Sequence, residues 1–228
     1  MATRRTLPAA AATPDLDRWL ALGAVVGPVL LTLGAFALAP LHAGYSIVSD
    51  QASALAIGPN GAFMRAAFLL YGVLVTVGVV AVFHGLRHEL GTVARWTCTV
   101  LLALSPLGIL WAGIYTMDHL ALHTVGAELA FGTPVIAFPI VGLMLRRAPS
   151  WRRFGTLMIL GGPLTLALLI GFINSVPPSV LSSGAAGAGS LGLWQRALGI
   201  EVFAWYAALG WLWLSFSRPR AAHPRGGR

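Results

Sequence analysis

LALHTVGAELAFGTPVIAFPIVGLML, residues 120–145, is an apolar run with one acidic side chain and no Lys or Arg. A helix of that length reaches about 39 Å, more than the ~30 Å hydrocarbon core of a bilayer. The run does not alternate with period two, so a helix is preferred to a barrel strand. Comparable runs recur at 19–41, 63–83, 96–115, 154–173 and 194–216, which makes six. Across all 228 residues, 57% are hydrophobic and 10% charged, and mean hydropathy is +0.79. Soluble domains carry about a quarter charged residues. The expected fold is therefore all-α: a polytopic membrane protein with a six-helix bundle over 19–216.

Residues 1–18, rich in Ala, Thr and Pro, read as a short disordered arm, and residues 217–228 as a basic tail. The arm does not read as a signal peptide, because Asp15, Asp17 and Arg18 interrupt its approach to an apolar run that is itself too long. The stretch SSGAAGAGSLG, 182–192, reads as a mobile small-residue loop. Pro28, Pro106, Pro134, Pro139 and Pro163 fall inside helices, where each frees a carbonyl and bends its helix. Such a bundle is irregular enough to hold a cavity. Cys98 is a small core residue.

All 15 basic residues are Arg. All but Arg65 and Arg196 lie in the two tails and in alternate loops, on one side of a six-helix bundle. The positive-inside rule then makes both termini cytoplasmic, in a multi-pass protein of the cell membrane. The net charge of +8 reports topology and contact with membrane lipids, and nucleic-acid binding is not needed to explain it.

The remaining polar groups collect at the opposite end. GYSIVSDQASALAIGPNG, 44–61, is neither a tight turn nor a strand. It reads as an ordered loop that lays Ser46, Ser49 and Asp50 over the mouth of the bundle and ends in a Gly-Pro-Asn-Gly turn. Ionisable groups at membrane depth are functional-site candidates by default. In YTMDHLALH, 115–123, His119 and His123 stand one helical turn apart with Asp118 beside them. That spacing fits a two-His metal site with Asp118 as third ligand. It fits equally a metal-free acid–base pair, or a plain helix start capped by Asp118. Glu128, two turns deeper, is a desolvated carboxyl that serves as a hydrogen-bond donor, a general acid or an interhelical tie. Arg65 and Arg196 occupy helix starts, where a cation opposes the dipole, so each calls for a carboxylate such as Asp50 or Asp118. Gln195, Glu201 and Tyr45 belong to the same end. His42 is a doubtful third imidazole there. Trp19, Trp96, Trp151 and Trp194 fit interface anchoring.

With these motifs placed, the chain resembles the six-helix bacterial membrane proteins collected as domain of unknown function 998. GYSIVSDQASALAIGPNGAFMRAAFLLYG, MDHLALHTVGAELAF and GLWQRA are similar to that family's three signature stretches, over residues 20–216. The resemblance marks Ser46, Ser49, Asp50, Ser53, Asp118, His119, His123, Gln195 and Arg196. Arg65 stands where the family commonly has Asn, and the Asp118–His119 spacing is compressed, so pocket charge and shape differ. The family has no general assigned reaction.

Three functions compete. The first is an enzyme acting on a lipid-like or isoprenoid substrate, such as a membrane-bound terpene cyclase. Its catalytic set would be Asp50, Asp118, His119, His123 and Glu128, with Ser46, Ser49, Tyr45, Arg65, Gln195, Arg196 and Glu201 binding substrate. The second is a metal-dependent hydrolase using His119, His123 and Asp118. The third is a non-catalytic lipid-organising or partner-binding subunit. The expected partners are membrane lipids and a hydrophobic small molecule, with no nucleic acid, and the sequence identifies no cofactor.

Overall fold

The computed structural model describes residues 15–178 and 189–216. Every regular element among them is helical: α1 (Asp15–Ala21), α2 (Gly23–Leu38), α3 (Gly61–Gly85), α4 (Thr92–Ile114), α5 (Leu120–Leu145), α6 (Arg152–Asn174) and α7 (Leu191–Phe216). Helices α1 and α2 meet at Leu22 and act as one span, Leu16–Leu41, so six segments are long and apolar enough to cross a membrane. Expected and observed bounds coincide for α5 and differ elsewhere by a few residues at the ends. One correction concerns 15–18, which are the first turn of α1 and not part of an irregular arm. The rest of the arm, the tail and most of the 182–192 loop lie outside the described residues.

Each span packs on the next in sequence, and α7 closes the ring against α2 and α6. One end of the ring carries the interhelical arginines, together with contacts of Asp17 Oδ2 to His84 Nδ1 (3.0 Å) and of Ser150 Oγ to Glu89 Oε2 (2.5 Å). The other end carries the 42–60 loop. We call them the arginine end and the loop end.

The arginine half is closed by small residues. Gly142 of α5 and Gly155 of α6 face each other so closely that a Cβ on either would stand 2.6 Å from the other's carbonyl oxygen. Close backbone approach through Gly is how membrane helices gain packing without a hydrophobic driving force between them. One helical repeat further on, a Cβ at Gly162 would meet Val135 O at 2.5 Å.

Two of the helix prolines, Pro106 and Pro134, are matched by donors from neighbouring helices. Pro106 lacks the N–H that would bind Leu102 O, and Tyr206 Oη of α7 donates to that carbonyl at 2.8 Å. Pro134 likewise releases Ala130 O, which accepts Ser105 Oγ of α4 at 2.7 Å. These two bends are thus tied to a neighbour, as a medium without water requires. Glu201 makes a third tie: Thr165 Oγ1 of α6 and Trp205 Nε1 donate to its two carboxyl oxygens at 2.8 and 2.7 Å.

Candidate functional site

The loop end is built by Arg196 and Gln195 from α7. Arg196 Nη1 donates to three carbonyl oxygens, of Ile47 (2.8 Å), Asp50 (2.9 Å) and Gly192 (3.0 Å). Its Nη2 donates to the Tyr45 hydroxyl, and the guanidinium lies 5.6 Å from that ring's centroid. Tyr45 in turn donates to Gln51 O at 3.0 Å. Burial pushes the Tyr45 hydroxyl above the usual tyrosine range, with Arg196 pulling against it. Gln195 Oε1 accepts the Ala52 N–H at 2.6 Å, and the otherwise unbonded N–H of Leu193 donates to Val48 O at 3.1 Å. A loop that sequence marks only by its polarity is therefore pinned by its main chain. Behind it, the turn Ala52–Ala56 drops Leu55 and Ser53 into the bundle, 1% and 4% exposed.

Under this roof lies a cavity of about 620 Å³, within the range of small-molecule sites. Its walls are mostly apolar and include Phe36, Phe68, Phe131, Phe172 and Phe203. The polar groups on them are Gln51, Ser53, Gln195 and Arg196 at the roof, and Thr32, Thr124, His123 and Glu128 on the sides.

His123 is buried, and its Nδ1 lies 2.9 Å from Tyr115 O and 3.3 Å from Ala112 O, at the C-terminal end of α4. Carbonyl oxygens only accept, so Nδ1 carries the ring proton, assigned here from its partners. Nε2 is then an unprotonated lone pair on the opposite ring edge, with no hydrogen-bond partner among the described residues. Glu128 lines the same cavity and likewise has no hydrogen bond or ion pair among them.

The other expected site residues fall elsewhere. Ser46, Ser49 and Asp50 do not line the cavity: Ser46 N–H donates to Asp50 Oδ2 (2.7 Å) and Ser49 N–H to Ser46 Oγ (3.3 Å), so these side chains shape the loop. The adjoining Gln51 and Ser53 face inward instead. His119 and His123 do not share a helix face, because α5 starts at Leu120 and His119 is its non-helical N-cap residue, φ −112° and ψ 59°. Asp118 and His119 are exposed, and Asp118 accepts a hydrogen bond from Thr116 instead of capping α5. Among the described residues, no three His, Cys, Asp or Glu are grouped to hold a metal ion. Arg65 is exposed, and no carboxylate lies within ion-pair distance of it among the described residues. Arg196 satisfies its charge largely on carbonyl oxygens. Glu201 lies off the cavity wall, with both oxygens engaged.

Sequence reasoning missed Thr32, Thr124, Gln51 and Met117 as wall residues. The only signal for the threonines is a hydroxyl on an otherwise apolar face, and Thr124 also bonds back to Leu120 O, as Thr on any helix can.

Six apolar spans, an all-helical ring and a polar-studded cavity at one end define a multi-pass helical membrane protein with an internal cavity. Its apolar outer faces fit contact with membrane lipids. The chain belongs to the family described as "Protein of unknown function (DUF998)", whose model matches residues 25–212. No curated protein and no solved structure matches it.

Proposed function

We propose that this protein is a membrane-embedded enzyme that works on a lipid-like or isoprenoid molecule by acid–base chemistry, with Glu128 as acid and His123 as base. The observation that carries this reading is the pair of unpartnered groups on one apolar cavity wall: the Nε2 lone pair of His123 and the Glu128 carboxyl. Ionisable groups in such surroundings are costly unless they act. Of the three carboxylic acids in the expected catalytic set, Asp50, Asp118 and Glu128, only Glu128 lines the cavity.

The phenylalanine walls favour a carbocationic reaction of a prenyl chain, because aromatic faces stabilise cations. Glu128 gives its proton to an alkene carbon, whose π pair forms the new C–H bond. The cation closes on a second double bond of the chain, forming a C–C bond. His123 Nε2 takes a proton from the carbon beside the final cation, and that C–H pair becomes the new C=C. The product is an isomer of the substrate, and the proton returns from His123 to Glu128 through solvent. The arginine distribution supports a loop end facing away from the cytoplasm.

The test is isotope uptake by purified protein in vesicles of the producing cell's own lipids, in water enriched in deuterium and oxygen-18. A lipid gaining carbon-bound deuterium is the expected result, with the rate falling ~100-fold or more in Glu128→Gln and His123→Ala. Gain of oxygen-18 instead would replace this reading with a hydrolase, and gain of neither with a non-catalytic lipid-binding protein.

A further inference from the structure

Helices α5 and α6 touch through glycine in the arginine half, while in the loop half residues of both helices line the cavity. On α6 the face that meets α5 at Gly155 and Gly162 continues at four- and seven-residue steps through Leu166 and Ile173. Its arginine half is shut by Gly155 on Gly142 and Gly162 on Val135. In its loop half Leu169 still packs against the core, while Leu166 and Ile173 are exposed by 44% and 58%. The matching stripe of α5 changes in the same way. Gly142 and Val135 touch α6, whereas Glu128 and Ala121, seven and fourteen residues before Val135, are exposed and line the cavity. Trp194 of α7 lies against Gly171, which ties the loop half of α6 to α7. Phe172 and Val176, beyond the divergence, line the cavity from α6.

This gap lies within the spans Met117–Leu145 and Pro149–Asn174, so it opens at the level of the lipid chains and not at the roof. The roof is the better closed side, held by Arg196 and Gln195. We infer that the cavity is loaded sideways from the bilayer: an amphiphile with one hydrocarbon chain enters between the loop halves of α5 and α6 and passes Glu128. Its polar head then lies level with Gln195 and Arg196. The inference rests on the proposed lipid-like substrate and adds its route and form. A cavity of about 620 Å³ suits one chain better than a two-chain lipid. The position of Glu128 beside the gap also puts its carboxyl next to any chain that enters.

The experiment uses the full chain in phosphatidylcholine vesicles containing a palmitic acid analogue with a mid-chain diazirine. After illumination, adducts are mapped by mass spectrometry. Wild-type protein is expected to label inside, at Phe131 and Phe203, and at the gap, at Leu166. The double variant A121W/I173W, made at two exposed positions, narrows the gap and is expected to lose the inner labels while melting as wild type does. L33W, on the outer face of α2, is expected to keep them. Inner labelling undiminished in the double variant, or lost equally in L33W, overturns sideways entry. So does a wild-type protein labelled only on outward residues. Labelling requires no turnover, so the two proposals fail separately. Inner labels without isotope uptake remove the chemistry and keep the route; isotope uptake without inner labels does the reverse.

Discussion

The arginine half and the loop half of this bundle are made from the same helices and answer opposite demands. In the arginine half the backbones touch: Gly142 on Gly155, Gly162 on Val135, Gly210 against Ala21 and Ala24. In the loop half α4 and α5 still touch, Gly108 on Gly126, but the other helices surround about 620 Å³ of space that a pinned loop closes. Small residues mark both halves, so their presence alone does not separate them. What separates them is the surroundings: a Cβ at Gly155 would meet backbone, while one at Gly199 on the cavity wall would meet only the Phe203 ring, at 3.6 Å.

The largest expected effect tests the closed half. Gly155→Leu has no soft neighbour to displace and should cost about 3 kcal/mol, the upper part of the range for overpacking, read as thermal unfolding in detergent. A melting temperature like wild type would mean that α5 and α6 are not in contact there.

Next comes the roof. Arg196→Lys keeps the charge but cannot fork onto several carbonyls, and should cost about 2 kcal/mol. It should also expose 42–60 to proteolysis before any other segment. Unchanged protease resistance would show that the loop is held by something else.

Tyr206→Phe leaves Leu102 O buried without its donor and should cost about 1.5 kcal/mol. The informative variant is the double, Pro106→Ala with Tyr206→Phe. It restores the helical N–H to that carbonyl, so it should be more stable than Tyr206→Phe alone. A double variant that is weaker still would contradict the pairing of bend and hydroxyl.

The smallest effect on stability is expected in the open half. Gly199→Leu should leave melting unchanged or raise it by about 0.5 kcal/mol through helix propensity, while Phe203 loses its inner label. A loss as large as that of Gly155→Leu would erase the contrast between the halves.

The six spans were readable because each hydrophobic run is long enough to cross a bilayer, and that signal survives without any knowledge of neighbours. The site was readable only in part, and the failures have distinct causes. His119 and His123 were paired by assuming that the helix already ran through 119, yet a one-residue difference in its start removes the shared face. Asp50 was drawn toward the cavity by its charge, while its carboxylate takes a backbone N–H of its own loop. Arg196 was matched to carboxylates because sequence shows charges and hides carbonyls. Glu201 was placed among the binding residues, and its partners, Thr165 and Trp205, are ordinary helix residues until the helices meet. Glu128, by contrast, stands out from sequence as an ionisable group deep in an apolar run, and it lines the cavity together with His123.

The grip of Arg196 on main-chain oxygens has a consequence for how this protein can change. Contacts that read carbonyls are indifferent to the side chains of Ile47 and Val48, so those positions are free to vary without unseating the loop. The burden of identity moves to the clamp's own helix. A Cβ at Gly192 would press on Asp50 O and Ile47 O, so that position admits nothing larger than glycine. A library randomised at 47 and 48 should therefore yield many folded variants, and one randomised at 192 very few. The roof is in this sense a replaceable surface on a fixed hinge pin, suited to trading one molecule for another while the bundle beneath stays the same.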